Sequence, residues 1–319
     1  MQAFSKFFGF RPRPFPGLFF LLWMLWIAWG LGRVFRDATL FSGWLFFIPS
    51  PVVALACFAA AGRAWTGNAK KAAAAFLLAG MLPAGWFFCA ENRFLPRSAE
   101  TGTNVRTLRL VHWNVAHGRM GRAGIFRRLR KENADLYVLS EPPKSTLLSS
   151  DLPEFFGKEF SGILLPGLAI AARGRLRDGE WLAFGEGIKV YGVTWDSPEG
   201  PLRLLAIDSA ANVGRPRDPM LQRIRRILID QRADLMAGDF NAPRCARALH
   251  PLPPGYAHAY EAAGRGCSAT WPVPIPLYAI DQCVFRRQTV RPGSYRLKSS
   301  WRSDHRMQVF DFRTKHAEQ

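Results

Sequence analysis

The sequence predicts an α/β domain preceded by an α-helical transmembrane segment. Three uncharged apolar runs fill most of the first hundred residues. After about residue 105, apolar runs of strand length alternate with stretches of helical periodicity, which is typical of a layered α/β domain. We therefore expect a membrane region over 1–95, a polar linker over 96–105 and a soluble domain over 106–319.

The three uncharged runs lie at about 15–31, 40–62 and 72–90. Each approaches the roughly 20 apolar residues that a helix needs to cross a bilayer, and Trp residues lie near several of the ends, as interfacial anchors do. A cleaved signal peptide would explain the first run, and a buried core helix would explain the third. Three such runs in succession favour three transmembrane helices.

Basic residues in the short flanks predict the orientation of these helices, because cytoplasmic flanks carry more Lys and Arg. One side receives Lys6, Arg11, Arg13, Arg63, Lys70 and Lys71. The other side receives Arg33, Arg36, Arg93 and Arg97. The bias predicts an integral membrane protein with a cytoplasmic amino terminus and, after three crossings, a soluble domain on the non-cytoplasmic side.

The composition favours an anionic partner but does not identify its chemical class. The chain has 43 basic and 24 acidic residues, and its first hundred residues hold only ten and three of these, so the soluble part is also strongly basic. This excess favours nucleic acid or phospholipid headgroups, although a generally basic proteome would give the same composition. No protein partner is implied. The five cysteines form no disulfide framework, and one disulfide among Cys245, Cys267 and Cys283 stays open.

The soluble part alternates strands and helices along the chain. Strands are predicted at 108–114, 136–139, 167–172, 189–195, 202–207 and 307–312. A helix is predicted over 124–133, because Ile125 and Leu129 lie four residues apart on one face. A second helix is predicted from Asp218, a good N-cap before Pro219, to about residue 232.

Five polar motifs close apolar runs in this region. They are LRLVHWN ending at Asn114, LYVLSE ending at Glu141, LMAGDFN with Asp239 and Asn241, YAID ending at Asp281, and SDH at 303–305. Carboxylates, amides and one imidazole are what a metal-assisted attack on a phosphate ester requires. Each motif alone has a plainer explanation, such as a turn or an ordinary strand end.

Together and in this order, the motifs resemble the endonuclease/exonuclease/phosphatase superfamily over roughly residues 105–313. The resemblance implies a four-layered α/β sandwich, in which two stacked sheets are flanked by helices and the site lies at one edge. It also implies a metal-dependent hydrolase that uses Mg²⁺ or Mn²⁺, hard ions that prefer oxygen ligands.

The resemblance assigns the water and the phosphate to three side chains. Asp239 would orient and deprotonate the attacking water, and Asn241 would donate to a phosphate oxygen. Asn114 would orient the catalytic carboxylate and help to fix the phosphate or the metal. The string Gly238-Asp239-Phe240-Asn241 is the most specific of the motifs, with Phe240 expected in the core.

The resemblance assigns the metal and the cationic donor to four others. Glu141 would be a metal ligand, and Asp304 would support the metal or the nucleophile. His305 would donate to the phosphoryl oxygen in the transition state. Asp281 would be the carboxylate partner that keeps this imidazole charged and oriented.

Substrate contacts and departures from the family pattern are less determined. Trp271 is expected either to flank the cleft or simply to pack, and His117 is a loop residue that could touch substrate. Asp208 stands where deoxyribonuclease-like members carry a histidine, and Gln282 follows Asp281 where many members have His or Tyr. Asp208 could be an acid with a raised pKa, a second metal ligand or, as we favour, a capping residue.

The sequence therefore predicts a membrane-anchored, metal-dependent phosphodiesterase, with a nuclease as the first choice. A phospholipid or sphingolipid headgroup phosphodiesterase or phosphatase is the alternative, motivated by the apolar runs. A non-catalytic protein that binds anionic ligands on a decayed fold is the alternative of another class, motivated by Asp208 and Gln282.

Overall fold

A computed structural model describes residues 16–95, 107–143 and 155–315. The chain divides into two compact units, Met1–Glu91 and Asn92–Gln319, which we describe separately. The predicted linker at 96–105 lies outside the described residues.

The first unit is helical. It contains α1 (Pro16–Phe35), α2 (Leu40–Phe46), α3 (Ser50–Thr66) and α4 (Lys70–Trp86), and α4 continues into a π-helical turn at Phe87–Glu91. By length and composition, Gly17–Phe35 and Lys70–Glu91 are each able to cross a membrane. The pair α2 and α3 is a third candidate only if it counts as one broken span, because the two helices are bent by 61°.

The apolar run over 40–62 is divided into two helices. Helix α2 ends at Phe46 and α3 begins at Ser50, after Pro49 and before Pro51. A proline lacks an amide hydrogen and clashes with the preceding turn, so it ends one helix and suits the first turn of the next.

Arg33 satisfies the carbonyl groups that this break exposes. Its guanidinium donates to the carbonyl oxygens of Phe46 at 2.6 Å and Ile48 at 2.7 Å. The same guanidinium lies 3.3 Å from the Glu91 carboxylate, which also accepts a hydrogen bond from Ser50 at 2.6 Å. The Arg33 guanidinium therefore satisfies the backbone carbonyls at the break, and Glu91 balances its charge.

The second unit is built from two six-stranded sheets. In chain order its strands are β1 (Leu108–Asn114), β2 (Leu136–Ser140), β3 (Phe160–Leu165), β4 (Leu168–Arg173), β5 (Arg175–Gly185), β6 (Ile188–Ser197), β7 (Gly200–Ser209), β8 (Leu235–Asp239), β9 (Tyr256–His258), β10 (Asp281–Arg286), β11 (Val290–Lys298) and β12 (Met307–Thr314). Its helices are α5 (Arg122–Arg130), α6 (Arg217–Asp230) and α7 (Ala259–Ala263). The first sheet has the order β11-β12-β1-β2-β4-β3, and the second has the order β5-β6-β7-β8-β10-β9.

Strand alternation places the core between the sheets. Leu110 of β1 packs in one cluster with residues of the second sheet such as Leu204, whereas its neighbour Val111 packs in another cluster with Ile125 and Leu129 of α5. Successive side chains of a strand point to opposite faces, so each sheet has one face toward its partner and one face available for a helix. The predicted α/β sandwich with flanking helices is confirmed.

Besides the six predicted strands, the LMAGDFN motif marked the end of β8, and the other five strands, namely β3, β5, β9, β10 and β11, were not predicted. The longest of them, β5, is an edge strand whose side chains are mostly exposed or half-exposed. It contains Arg175, Arg177, Asp178 and Glu180. Charged side chains on an edge strand prevent pairing with other chains. They also interrupt the alternation of apolar and polar residues by which a strand is predicted.

Two parallel strand pairs bring the polar motifs to one edge. Strands β1 and β2 are parallel, with Asn114 opposite Ser140, and β7 and β8 are parallel, with Asp208 opposite Asp239. The two sheets are joined near this edge, because Ser140 Oγ donates to the Ile207 carbonyl at 3.3 Å. The carboxyl ends of β1, β2, β7 and β8 therefore meet at one place.

Candidate active site

Four charged residues form a row across the end of the second sheet. Strand pairing places Lys189 opposite Asp208, Asp208 opposite Asp239, and Asp239 opposite Asp281. Residues paired in this way point to the same face of a sheet, and neighbouring strands lie about 4.8 Å apart. We call these four residues the cross-strand row. Asn114 of the first sheet contacts it directly, so the row faces the other sheet.

Asp239 is held by two hydrogen bonds in the middle of the row. Its Oδ2 accepts from Asn114 Nδ2 at 2.9 Å, and its Oδ1 accepts from the backbone N–H of Asn241 at 2.8 Å. Burial raises the pKa of Asp239, and repulsion by Asp281 raises it further, while these two hydrogen bonds and His305 offset part of the effect. A fixed carboxylate with a raised pKa suits a general base.

Gly238 permits the close approach of β8 to β7. A Cβ atom at this position would lie only 2.1 Å from the Ile207 carbonyl oxygen. The glycine of the GDFN string is therefore required by contact between strands. Phe240 is fully buried, as expected. Asn241 adopts a left-handed backbone with φ 46°, so the strand alternation ends at this residue.

His305 and Asp281 form a buried pair beside Asp239. Nδ1 of His305 lies 2.9 Å from Oδ2 of Asp281, and its Nε2 lies 4.0 Å from Oδ2 of Asp239. Burial alone would lower the pKa of His305, but the charge and hydrogen bond of Asp281 raise it to about 9. Burial would likewise raise the pKa of Asp281, but the His305 cation lowers it. The imidazole is therefore cationic at neutral pH.

Backbone contacts fix the position of His305. Its carbonyl accepts from Trp113 Nε1 at 2.9 Å, and its N–H donates to Ser303 Oγ at 3.0 Å. Ser303 Oγ in turn donates to the Asn114 carbonyl at 2.6 Å. The serine of the SDH motif thus ties the imidazole to the end of β1, a role that the sequence did not indicate.

His112 is a neutral histidine behind this pair. Gln308 Nε2 donates to its Nδ1 at 2.8 Å, so its Nε2 carries the proton that is shared with Ser140 Oγ at 3.1 Å. Burial lowers the pKa of His112 to about 4, even though its Nδ1 is 3.8 Å from Asp281 Oδ1. It is a structural residue.

Glu141 lies at the more open side of the site. Its backbone is left-handed, with φ 48°, and its N–H donates to the Gly167 carbonyl at 3.0 Å. Its carboxylate is about one third exposed and lies 3.2 Å from Nε2 of His117, which is also left-handed at φ 55°. Such conformations cost free energy for a residue with a side chain and concentrate at functional sites.

Asp304 is oriented by Trp271. The indole Nε1 of Trp271 donates to Oδ2 of Asp304 at 3.0 Å. The other oxygen, Oδ1, is buried and accepts no hydrogen bond from any described residue. A buried carboxylate oxygen normally has a partner, so this atom is available to a cation or a water.

The chemistry of these side chains fits a divalent metal ion. The partly exposed Glu141 carboxylate and the unpartnered Asp304 oxygen are hard ligands of the kind that Mg²⁺ and Mn²⁺ prefer. Asp239, Asp281 and His305 also offer atoms within 4.8 Å of one another. A metal there would compete with the proton that His305 shares with Asp281, so this group suits proton transfer better.

The remaining predicted residues have defined contacts. The Asn241 side chain donates to the Ser209 carbonyl at 2.7 Å, and the buried Gln282 amide donates to the Ala279 carbonyl at 2.6 Å. Asp208 is not a capping residue. It lies within β7 and its carboxylate accepts from Lys189 Nζ at 2.7 Å. Sequence reasoning missed Lys189, because only the strand register brings it to the site.

Comparison with known proteins shows the fold. No protein-family model and no curated protein matches the sequence. TDP2 from D. rerio, complexed with a single strand DNA product, matches with a TM-score of 0.51 at 19% identity, over 65% of this chain and 99% of that chain. The human Nocturnin catalytic domain with bound sulfate matches at 0.50 and 15%, over 66% and 95%.

An endonuclease/exonuclease/phosphatase family protein from Bacteroides thetaiotaomicron also matches, with a TM-score of 0.53 at 12% identity, over 65% of this chain and 97% of that chain. At such identities the comparisons establish the fold alone. About two thirds of the chain has the endonuclease/exonuclease/phosphatase fold, which confirms the fold that the motifs predicted.

Proposed function

We propose that this protein is a divalent-metal-dependent hydrolase of phosphate esters, and specifically a phosphodiesterase. The observation that supports it most is the arrangement of Asp239, His305 and Asp281. A fixed, buried carboxylate lies 4.0 Å from an imidazole that a second carboxylate keeps protonated. A base for water and a cationic donor for a phosphoryl oxygen are thereby held side by side.

In this proposal Asp239 accepts a proton from the attacking water, while Asn114 and the Asn241 backbone keep its carboxylate in place. The Nε2–H of His305 donates to a phosphoryl oxygen as negative charge develops on it. Mg²⁺ or Mn²⁺ bound by Glu141 and Asp304 would supply Lewis-acid stabilisation of the same charge. Positioning by fixed groups lowers the barrier, because no reorganisation is needed during the reaction.

Nucleic acid is the substrate class that we favour. The chain carries a net charge of +19, which suits a polyanion. The TDP2 structure with the same fold holds a single strand DNA product, which supports this choice. The helices of the first unit motivate a phospholipid or sphingolipid headgroup as the second candidate.

We also propose that the first unit anchors the protein in a membrane, with the hydrolase unit on the non-cytoplasmic side. Two apolar helices of sufficient length support anchoring. The flanking Lys and Arg residues support the orientation. The side on which the hydrolase unit lies depends on whether α2 and α3 cross the membrane as one broken span.

Hydrolysis of bis-p-nitrophenyl phosphate by the full chain in detergent tests the proposal. We expect Mg²⁺- or Mn²⁺-dependent turnover that Asp239→Asn lowers by at least about 10²-fold. A parallel panel of DNA, RNA, phospholipids and inositol phosphates then selects the substrate. Binding of anions without turnover of any of these compounds would instead support the non-catalytic alternative.

A further inference from the structure

One cation of the cross-strand row has no role in the proposed mechanism. Lys189 lies at one end of the row, and His305 lies beside Asp281 at the other end. The three aspartates of the row therefore lie between two cations. We infer that Lys189 is a substrate-binding residue that holds a second phosphate of a polynucleotide strand, next to the phosphate that is hydrolysed. This inference rests on the proposed function and extends it to a second subsite.

Strand register gives the position of this subsite. Lys189 lies two strands from Asp239 on the same face, so their backbones are about 10 Å apart at the usual strand spacing. A lysine side chain can cover part of that distance. Its ammonium group contacts Asp208, which lies one strand away from Asp239, and is therefore placed for the next anionic group of an extended substrate.

Gly167 provides the space for the ammonium group. A Cβ atom on Gly167 would lie 2.3 Å from Lys189 Nζ and 2.7 Å from Asp208 Oδ2. The carbonyl of the same glycine accepts the hydrogen bond from the Glu141 N–H. Lys189 Nζ thus lies against the backbone turn that carries the proposed metal ligand, at the open side of the site.

The contacts of Lys189 leave hydrogen-bonding capacity for a ligand. An ammonium group has three donors, and Asp208 Oδ2 accepts one of them at 2.7 Å. The Lys189 side chain is one third exposed, whereas the Asp208 side chain is almost buried. Asp208 therefore acts as a positioning residue that fixes the ammonium group, and the remaining donors are open to an anion. Lysine commonly binds phosphate as a point charge in this way.

The test compares a polyanionic substrate with a singly charged one. For Lys189→Gln, we expect KM for a single-stranded oligonucleotide to rise about tenfold, which corresponds to ~1.4 kcal/mol, with kcat changed less than about twofold. KM for bis-p-nitrophenyl phosphate should rise far less than KM for the oligonucleotide, because this ester has only one phosphate. Lys189→Arg should restore most of the oligonucleotide affinity, and Lys315→Gln controls for the loss of one charge at the far end of β12.

Binding provides a readout that is independent of turnover. In an Asp239→Asn background, Lys189→Gln should reduce the magnitude of the slope of log affinity against log salt by about 0.7, the value for one phosphate contact on a single strand. Gly167→Ala should reproduce the loss. Gly185→Ala should not, because Gly185 has the same left-handed kind of backbone, at φ 108°, but an added Cβ would meet nothing within 4 Å.

The outcomes separate this inference from the function on which it rests. If the unsubstituted protein fails to hydrolyse bis-p-nitrophenyl phosphate, the proposed function is wrong. If it hydrolyses that ester but Lys189→Gln changes both substrates equally, or leaves oligonucleotide KM and the salt slope as Lys315→Gln does, the second subsite is wrong. A melting temperature matched to the unsubstituted protein shows that each variant is folded.

Discussion

Nδ1 of His305 lies 2.9 Å from Oδ2 of Asp281, and this contact outweighs the burial of the ring. His112 shows the opposite balance at the same carboxylate. It is 3.8 Å from Oδ1 of Asp281, accepts a hydrogen bond from Gln308, and is kept neutral by burial. One buried carboxylate therefore faces two histidines in different protonation states, and only His305 is next to Asp239.

The first prediction concerns the pH dependence of hydrolysis. His305 is cationic below its pKa of about 9, so turnover should fall as the pH rises through that value. Asp239 must be ionised to act as a base, which limits the acidic side. Asp281→Asn removes the interaction that raises the pKa of His305, so the alkaline limb of kcat should move to lower pH.

His305→Ala should remove most of the turnover and cost more than Asp281→Asn. Asp208→Asn should have little effect on the hydrolysis of bis-p-nitrophenyl phosphate, because the new amide oxygen can still accept from Lys189. The single-histidine mechanism is wrong if Asp208→Asn abolishes hydrolysis while His305→Ala is tolerated.

The second prediction concerns the metal. Glu141→Gln keeps the shape of the side chain and removes its charge, so the Mg²⁺ concentration for half-maximal activity should rise and turnover should fall substantially. Glu186→Gln is the matched control, because Glu186 is also left-handed but its side chain is highly exposed and paired with Arg223. A normal Mg²⁺ response in Glu141→Gln would exclude this residue as a ligand.

The third prediction concerns Trp271. Trp271→Phe keeps an aromatic ring beside Tyr278 but removes the N–H that holds Asp304 at 3.0 Å. We expect a higher Mg²⁺ requirement with little change in KM, because the loss acts through Asp304. Trp301→Phe, at a highly exposed position, should change neither quantity. A large rise in KM alone for Trp271→Phe would instead indicate direct contact with substrate.

The fourth prediction concerns the break between α2 and α3. Arg33→Met removes the donors to the Phe46 and Ile48 carbonyls and the 3.3 Å ion pair with Glu91. Uncompensated polar groups in an apolar environment cost several kcal/mol, so yield and melting temperature in detergent should fall. The double substitution of Arg33→Met with Glu91→Gln should recover part of the loss if the ion pair contributes as described.

The fifth prediction concerns orientation in the membrane. Reporter fusions after Arg97 should report the non-cytoplasmic side, and fusions near Gly67 should report the cytoplasmic side. A cytoplasmic reading after Arg97 would mean that α2 and α3 do not cross the membrane as one span, and it would remove the basis for a role on non-cytoplasmic substrates.

Residues that belong to contiguous motifs could be placed near one another from the sequence, whereas residues outside the motifs could not. Asn114, Asp239 and His305 belong to contiguous motifs, so recognising each motif also predicts where its residues lie relative to the site. Lys189 belongs to no motif. It reaches the site only because β6 pairs with β7 in one register, and a shift of one residue would turn it to the other face.

The contact of Asp208 could not be predicted from the local sequence either. Its place in the sequence was recognised as a departure from the family pattern, but its partner lies 19 residues away along the chain. A carboxylate at a strand end has many local explanations, and capping was the simplest of them. Only the cross-strand contact with Lys189 distinguishes an ion pair from a cap.

Asn114 belongs to the first sheet and Asp239 to the second, and 2.9 Å separates their side chains. The proposed catalytic base is therefore assembled by the packing of the two sheets, unlike a base carried on one mobile loop. Partial loosening of the sheets would uncouple this contact before either strand lost its own hydrogen bonds. In a denaturant titration of the whole protein, the loss of enzymatic activity should thus follow the loss of packing between the sheets. No fragment that contains a single sheet should retain activity.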